Sequence, residues 1–178
     1  AGITVRCDTE LWVADRRQKT EEEIDHLREA QRVTEQAMQF ACSMIGTAEA
    51  RSGGVLYRDN EPLTSERVRT AVDHFLMDQG FSNPRSIVAG GPTGADCHDV
   101  GSGELLTGLP VIVDIFPRSR ATLYWGDCTR TVVHGDIPDE IKTMHQTVRK
   151  ARAAGERAVA PGVTREEVHR ATIAVIKA

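Results

Sequence analysis

Several features of membrane-bound and exported proteins are missing from this 178-residue chain. No apolar run approaches the roughly 20 residues that a membrane-spanning helix needs, and no signal peptide is visible. The cysteines Cys7, Cys42, Cys97 and Cys128 are widely separated, with no Cys-x-x-Cys pair. This spacing favours neither a disulfide framework nor a zinc knuckle. We therefore expect a protein of the reducing cytoplasm without a membrane partner.

An excess of basic residues is also missing. The chain has 22 Lys and Arg against 26 Asp and Glu, which gives a net charge of −4. This balance offers no positive surface for a nucleic acid, so we expect none as a partner. The hydrophobic content of 40% is that of an ordinary globular protein with one core. The chain has no initiator Met and starts abruptly at Ala1-Gly2-Ile3, which suggests a piece of a longer product.

The chemistry centres on two aspartates in neighbouring extended segments. Asp114 interrupts the apolar run at residues 111–116, and Asp127 opens the run at residues 127–133. Residues 117–120 form a loop that would join the two runs into a hairpin. If Asp114 opposes Asp127, both carboxylates project into one cavity.

Two explanations are open for these carboxylates, which would be costly to bury without a positive partner. A shared metal ion would compensate both, and oxygen donors suit hard divalent cations. Alternatively, each aspartate pairs with an arginine, such as Arg118 or Arg130.

The stretch from Val111 to Val133 resembles the metal-binding hairpin of the pita-bread metallopeptidases. This family includes methionine aminopeptidase, aminopeptidase P and prolidase, with creatinase as a non-peptidase relative. Asp114 matches the family's first aspartate, and Asp127-Cys128-Thr129-Arg130-Thr131 matches its second, in an Asp-x-Thr-Arg-Thr strand. The run from Ile87 to His98 resembles the strand and loop with a substrate-contacting histidine. Downstream, Pro161-Gly162-Val163-Thr164 resembles the turn into a later helix.

The resemblance implies a role for each matched residue. Asp114 would bind one metal ion and Asp127 would bridge two. The expected ions are Mn²⁺ or Co²⁺, with Zn²⁺ or Fe²⁺ as the alternatives. Thr129 would orient a metal-binding carboxylate, and His98 would donate a hydrogen bond to the peptide substrate.

Each of these roles has a plainer alternative. The alternative for Thr129 is a β-forming residue on a half-buried strand, and the alternative for His98 is a solvent-facing loop residue. We interpret Asp96 and Asp99 beside it as solvated loop residues. Cys97 and Cys128 are expected to be buried, inert thiols. The other histidines have no His-Glu-x-x-His spacing and are interpreted as surface or interface residues: His26, His74, His134, His145 and His169.

The chain also departs from the family. Asp114-Ile115-Phe116 stands where the family has Asp-Phe-Gly, and the hairpin loop is longer, which leaves the metal–metal spacing open. A His and two Glu ligands come from the family's second half, which would follow Ala178. We therefore expect the chain alone to be inactive and to hold metal poorly. It would form a homodimer or bind a complementary C-terminal portion.

Periodicity predicts four main helices and three strands. A capping box of Thr20 and Glu23 would start a helix that ends at Gly46, and a second would run from Thr64 to Gly80. Strands are expected near residues 87–89, 111–116 and 124–133. A third helix would start at Pro138 and carry Ile141, Met144 and Val148 inward. A capping box of Thr164 and Glu167 would start a last helix that runs to Ala178. This order predicts an α+β fold, an incomplete pita-bread fold with helices packed on a small antiparallel sheet.

Residues 1–19 show no helical period and are interpreted as a lead-in or linker. Residues 20–178 would be the N-terminal portion of the catalytic domain. The lead-in favours the Xaa-Pro aminopeptidase or prolidase type over methionine aminopeptidase. The alternatives are a pita-bread peptide- or protein-binding module without metals, and a creatinase-like amidine hydrolase.

Overall fold

The structure is a computed structural model that describes residues 2, 3 and 7–178. Its elements in chain order are α1 (Val13–Arg17), α2 (Glu21–Gly46), β1 (Glu49–Ala50), β2 (Leu56–Arg58), β3 (Glu61–Pro62), α3 (Ser65–Asp78), β4 (Phe81–Ser82), β5 (Ile87–Gly90), β6 (Pro110–Ile115), β7 (Arg118–Ser119), β8 (Cys128–Val133), α4 (Asp139–Ala158) and α5 (Arg165–Ile176). Short 3-10 turns cover Ser52–Gly54 and Gly91–Ala95. The predicted α+β class is confirmed.

The lead-in contains a short helix that the sequence pattern did not predict. Helix α1 has five residues, no side-chain cap and no buried residue. A single helical turn without an apolar face shows no hydrophobic periodicity from which a helix could be predicted. Residues 1 and 4–6 of the proposed lead-in lie outside the described residues.

The capping boxes predicted for two helices are confirmed. Thr20 and Glu23 exchange hydrogen bonds at the start of α2, and Thr164 and Glu167 do so at the start of α5. Each box satisfies backbone N–H groups that have no partner in the first turn of a helix. Helix α3 starts after Thr64, whose hydroxyl accepts a hydrogen bond from the Arg67 amide.

The central sheet has the order β5-β6-β8 and is antiparallel throughout. Alternate residues of its strands point to opposite faces. One face carries the apolar side chains Val111, Val113, Ile115 and Cys128, which are buried, and it packs against α2. We call the opposite face, which bears Ile112, Asp114, Thr129 and Thr131, the open face.

The core lies between the sheet, α2 and α3. Its largest fully buried side chains include Ile45 of α2 and Leu76 of α3 together with Ile115 of β6. Burying an aliphatic side chain of this size stabilises the fold by about 1.5–3 kcal/mol. The small sheet β1-β2-β3 and the pair β4-β7 were not predicted, because strands of two or three residues are too short to show alternation.

Helices α4 and α5 pack mainly on each other. In α4 only Ala151 and Gly155 are buried, and α5 has no buried residue. The expectation that Met144 and Val148 point inward was wrong, since these side chains are 57% and 61% exposed. The helical period is present, but no described element covers this apolar face. None of the helices in the described part of the chain is long and apolar enough to cross a membrane.

Candidate metal centre

A long hairpin runs without a register shift from β6 through β7 and back along β8. Ile115 pairs with Cys128, and further out Arg118 bridges Trp125. Both pairs belong to one antiparallel register, so the ladder continues between them. The amide of Gly126 donates to the carbonyl of Pro117 within it, at 3.0 Å. The alternation of side chains therefore stays in phase along the hairpin.

This register corrects the predicted pairing of the two aspartates. Asp114 lies directly opposite Thr129, whereas the continued register places Asp127 opposite Phe116. Asp127 is thus a diagonal neighbour of Asp114 on the same open face. Diagonal neighbours of this kind lie about 7–8 Å apart. The prediction that both aspartates belong to one face holds, but they do not oppose each other.

Thr129 makes direct contact with the first aspartate. Its hydroxyl donates a hydrogen bond of 2.5 Å to Oδ1 of Asp114. The bond holds one carboxylate oxygen in place and leaves the other available on the open face. Thr129 is therefore placed to orient the carboxylate of Asp114.

Packing against α2 determines where Asp127 lies. A Cβ atom on the buried Gly126 would meet Thr34 Oγ1 at 2.0 Å and the Ala30 carbonyl oxygen at 2.6 Å, so only glycine fits. The amide of Asp127 donates to Gln31 Oε1 at 3.2 Å. With Gly126 facing α2, the alternation turns Asp127 to the opposite side. Its carboxylate is exposed on the open face.

The expected burial of these carboxylates was wrong. Asp114 is half-buried and Asp127 is exposed. Among the described residues, neither aspartate forms an ion pair with an arginine. Arg118 instead lies over the ring of Trp125 at 5.5 Å, and Arg130 donates to the Thr129 carbonyl. The arginine pairing considered for the sequence is therefore not what the structure shows.

His98 lies in a loop that follows β5 and the 3-10 turn Gly91–Ala95. The turn packs over the open face, where a Cβ on Gly94 would approach Ile112 Cγ1 at 2.9 Å. Arg85 Nη2 donates to the carbonyl of His98 at 3.1 Å and anchors the loop. The His98 ring is 90% exposed, and no described hydrogen bond joins it to Asp114 or Asp127. The fold places His98 beyond the turn that covers this face, without bringing it into contact with the aspartates.

The two cysteines next to site residues differ in environment. Cys128 is buried on the core face, and burial raises the pKa of its thiol, as expected for an inert residue. Cys97 is exposed, so the expectation of a buried thiol was wrong there. Asp96 and Asp99 are more than solvated loop residues, because their carboxylates accept hydrogen bonds from the amides of His98 and Gly101.

Other histidines have structural or surface positions. His134 is half-buried, with Nδ1 2.8 Å from the Thr107 hydroxyl and Nε2 2.9 Å from the Ala48 carbonyl. Its ring therefore ties the end of β8 to neighbouring loops. His26 lies beside the ring of Tyr124, with centroids 5.5 Å apart.

A groove of about 490 Å³ on the open face was not predicted; its lining reaches Ile112, two residues from Asp114, and includes neither aspartate. Its floor includes Ile112 and Thr131, and its wall is α4 with Ile141 and Met144. The helical period of α4 was visible in the sequence, but its placement beside the sheet was not.

The residues present fit a hard divalent cation. Carboxylate oxygens are the donors that Mn²⁺ and related ions prefer, and Asp114 and Asp127 present them on one accessible face. The Thr129 hydroxyl supplies the outer hydrogen bond that commonly orients a metal-binding carboxylate. Two carboxylates do not complete a coordination shell, so further ligands must come from elsewhere.

Comparison with known proteins identifies related sequences and folds. Residues 25–178 match metallopeptidase family M24. A probable dipeptidase PepE from Mycobacterium bovis is 32% identical over 107 residues, which cover 59% of this chain and 28% of that protein. The prolidase from Pyrococcus furiosus superposes with a TM-score of 0.77 at 23% identity, covering 94% of this chain and 46% of the prolidase. An Xaa-Pro dipeptidase from Bacillus anthracis gives 0.76 at 25% identity, with 96% and 44% covered. The chain thus spans less than half the length of each of these relatives.

Proposed function

We propose, from the premise that this chain belongs to metallopeptidase family M24 and has part of its pita-bread fold, that its open face is one half of a dinuclear metal centre. The protein would hydrolyse N-terminal peptide bonds, with Xaa-Pro bonds as its preferred substrates. The names of two matched structures, a prolidase and an Xaa-Pro dipeptidase, support this choice of substrate.

One observation carries the proposal. The unbroken register of the hairpin puts Asp114, Thr129 and Asp127 on the same accessible face. Because these carboxylates form no ion pair with Arg118 or Arg130, they are available to bind cations. The contact from Thr129 to Asp114 supports a metal-binding role over a purely solvated one.

Each residue has a defined part in this proposal. Asp114 would hold one metal ion and Asp127 would contribute to both, with Thr129 orienting Asp114. When bound, two Mn²⁺ or Co²⁺ ions would lower the pKa of coordinated water and polarise the scissile carbonyl. His98 would donate a hydrogen bond to the substrate from the loop over the open face. The apolar groove beside Ile112 would receive an apolar part of the peptide.

The remaining ligands and the general base would come from a C-terminal portion or a second copy of the chain. We also propose that the catalytic domain begins at residue 20, after a linker of residues 1–19. A cytoplasmic location is part of the same proposal, and the four free cysteines support it.

A binding module without metals is the second candidate. Costly buried carboxylates would argue against it, but Asp127 is exposed and Asp114 only half-buried. Exposed carboxylates cost little to retain, so this argument fails. The apolar groove could hold a peptide whether or not metal ions are present.

Activity of the full-length parent protein separates the two candidates. We expect Mn²⁺- or Co²⁺-dependent hydrolysis of Xaa-Pro dipeptides, reduced by roughly 10²-fold or more in Asp114→Asn and Asp127→Asn, with metal content also reduced. His98→Ala should lower kcat by about 10²-fold with the Mn²⁺ content unchanged, because the hairpin aspartates are intact and a substrate hydrogen bond is lost. Asp136→Asn is the control, since Asp136 is an exposed carboxylate beyond β8. Full activity in both aspartate variants would refute the metal centre.

A further inference from the structure

Three potential metal ligands lie next to one another in the loop after the 3-10 turn Gly91–Ala95. They are Asp96, Cys97 and His98, and their donor atoms all lie within 4.8 Å of one another. In the part of the chain that the structure describes, no other group of three His, Cys, Asp or Glu residues is so arranged. All three side chains are exposed and accessible to an ion from solvent.

Backbone hydrogen bonds hold this loop in shape. The amide of Asp96 donates to the Thr93 carbonyl, and the amide of Asp99 donates to the Asp96 carbonyl, both at 3.2 Å. The amide of His98 donates to Asp96 Oδ1 at 2.8 Å. Together with the contact from Arg85 to the His98 carbonyl, these bonds fix the relative positions of the three residues. Binding an ion would therefore require side-chain adjustment more than loop folding.

The donor distances suit a tetrahedral ion. With zinc–sulfur bonds of about 2.3 Å and zinc–nitrogen bonds of about 2.0–2.1 Å, tetrahedral geometry separates sulfur and nitrogen by about 3.6 Å. Cys97 Sγ lies 3.6 Å from His98 Nδ1. His98 Nδ1 lies 4.0 Å from Asp96 Oδ1, where the same geometry needs about 3.3 Å. A small rotation of the exposed His98 side chain would close this gap and leave the hydrogen bond from the His98 amide to Asp96 Oδ1 in place.

We propose that Asp96, Cys97 and His98 form a second metal site, which takes one Zn²⁺ or another thiophilic divalent cation. A thiolate and an imidazole favour such ions, whereas Asp114 and Asp127 offer only hard oxygen donors. The Cys97 thiol releases its proton to solvent when the metal binds, and water fills the fourth position. The two sites therefore differ in metal preference as well as in place.

This site would also regulate the first one. A cation bound to His98 Nδ1 restrains the ring that is proposed to donate to the substrate, so excess Zn²⁺ would inhibit the peptidase. That consequence rests on the proposed function. The metal site itself does not, because it involves neither aspartate of the hairpin.

Cobalt substitution tests the site on the 178-residue chain itself. Titration with Co²⁺ should produce a thiolate-to-cobalt charge-transfer band that saturates at one equivalent and is abolished by Zn²⁺ but not by Mn²⁺. The band should be lost in Cys97→Ser and His98→Ala. It should persist in Cys7→Ser, which removes the other exposed thiol, and in Asp114→Asn. A band that survives in Cys97→Ser would overturn the proposal, and so would one that disappears in Asp114→Asn.

Alkylation gives a second measurement that needs no variant. One equivalent of Zn²⁺ should slow modification of Cys97 by iodoacetamide at least several-fold, as read from peptide masses, while Cys7 reacts at an unchanged rate. Equal rates for Cys97 with and without Zn²⁺ would also refute the site. Neither measurement depends on peptidase activity, so the second site and the proposed function can fail separately.

Discussion

Asp114 accepts its hydrogen bond from the residue directly opposite it in the sheet, Thr129. A threonine on a half-exposed strand needs no special explanation, since β-branched residues favour strands. In the proposed metal centre, this contact would give Thr129 a second role, in which it positions the carboxylate of Asp114.

Removing this hydroxyl should weaken metal binding without unfolding the protein. In the full-length parent protein, we expect Thr129→Val to lower Mn²⁺ affinity by about 10–100-fold, as measured by calorimetry. Thermal stability should change little, because Thr129 is exposed and valine keeps its shape. Thr131→Val is the matched control, since Thr131 lies on the same face two residues further along β8. Equal affinities in the two variants would leave Thr129 as a strand former only.

The hairpin is the element that positions the site, and its contact with α2 determines where Asp127 points. Gly126 comes so close to Ala30 and Thr34 that its missing side chain is part of the packing. The sequence shows a glycine before an aspartate, but it does not show that a helix lies against it.

Replacing Gly126 should therefore disturb both stability and the site. We expect Gly126→Ala to lower the free energy of unfolding by about 1–3 kcal/mol in urea titrations, because the added methyl group overpacks the contact with α2. Gly46→Ala is the control: a Cβ there meets nothing within 4 Å. A stability of Gly126→Ala equal to that of the unchanged chain would show that the hairpin is not tightly packed on the helix.

A second link between α2 and the hairpin depends on pH. Hydrogen bonds from the Thr20 amide and from the Tyr124 hydroxyl keep the pKa of the Glu23 carboxyl below its ordinary value of 4.5. Above pH 4.5 the carboxylate is ionised in both the folded and the unfolded chain, so its stabilising contribution is complete.

Acid should remove this contribution. As the pH falls below 4.5 towards the lowered pKa, the unfolded state takes up a proton before the folded state does, and stability is lost. Glu23→Gln should therefore lose less stability than the unchanged chain between pH 5 and pH 3, as followed by thermal denaturation. Glu21→Gln, in the same helical turn, is the control. Parallel pH profiles for the chain and Glu23→Gln would contradict this role.

At the scale of the whole molecule, large apolar surfaces remain uncovered. The apolar face of α4 exposes Met144 and Val148, and β8 is an edge strand of the sheet. Exposed edges and apolar patches favour association with another chain. The matched prolidase and Xaa-Pro dipeptidase are more than twice as long as this chain.

The isolated chain should therefore self-associate and lack peptidase activity. We expect light scattering to show dimers or larger species that Val148→Glu reduces, because a charge on this face opposes burial. Gln146→Glu adds the same charge at an exposed polar position of α4 and is the control.

The dialysed chain should retain less than one equivalent of Mn²⁺ and should not hydrolyse Xaa-Pro dipeptides. Two carboxylates do not complete a coordination shell, and the open face is only one wall of the proposed substrate cleft. Metal-dependent turnover by a monomeric chain would contradict this view.

Local patterns were enough to predict much of this protein. The capping boxes at Thr20 and Thr164 and the alternation around Asp114 depend on neighbours only a few residues away, so local spacing was enough to predict the main helices, the hairpin and the α+β class. The family followed from the order of motifs along the chain, and the match to residues 25–178 confirms it.

Local spacing did not predict how these parts pack against one another. The diagonal offset of Asp127 depends on the pairing of distant strands, and its direction depends on Gly126 packing against α2. The exposure of Cys97 depends on the course of a loop, and that of Met144 on whether anything covers α4. Contacts between residues far apart in the chain control each of these outcomes, and spacing in one sequence carries no record of such contacts.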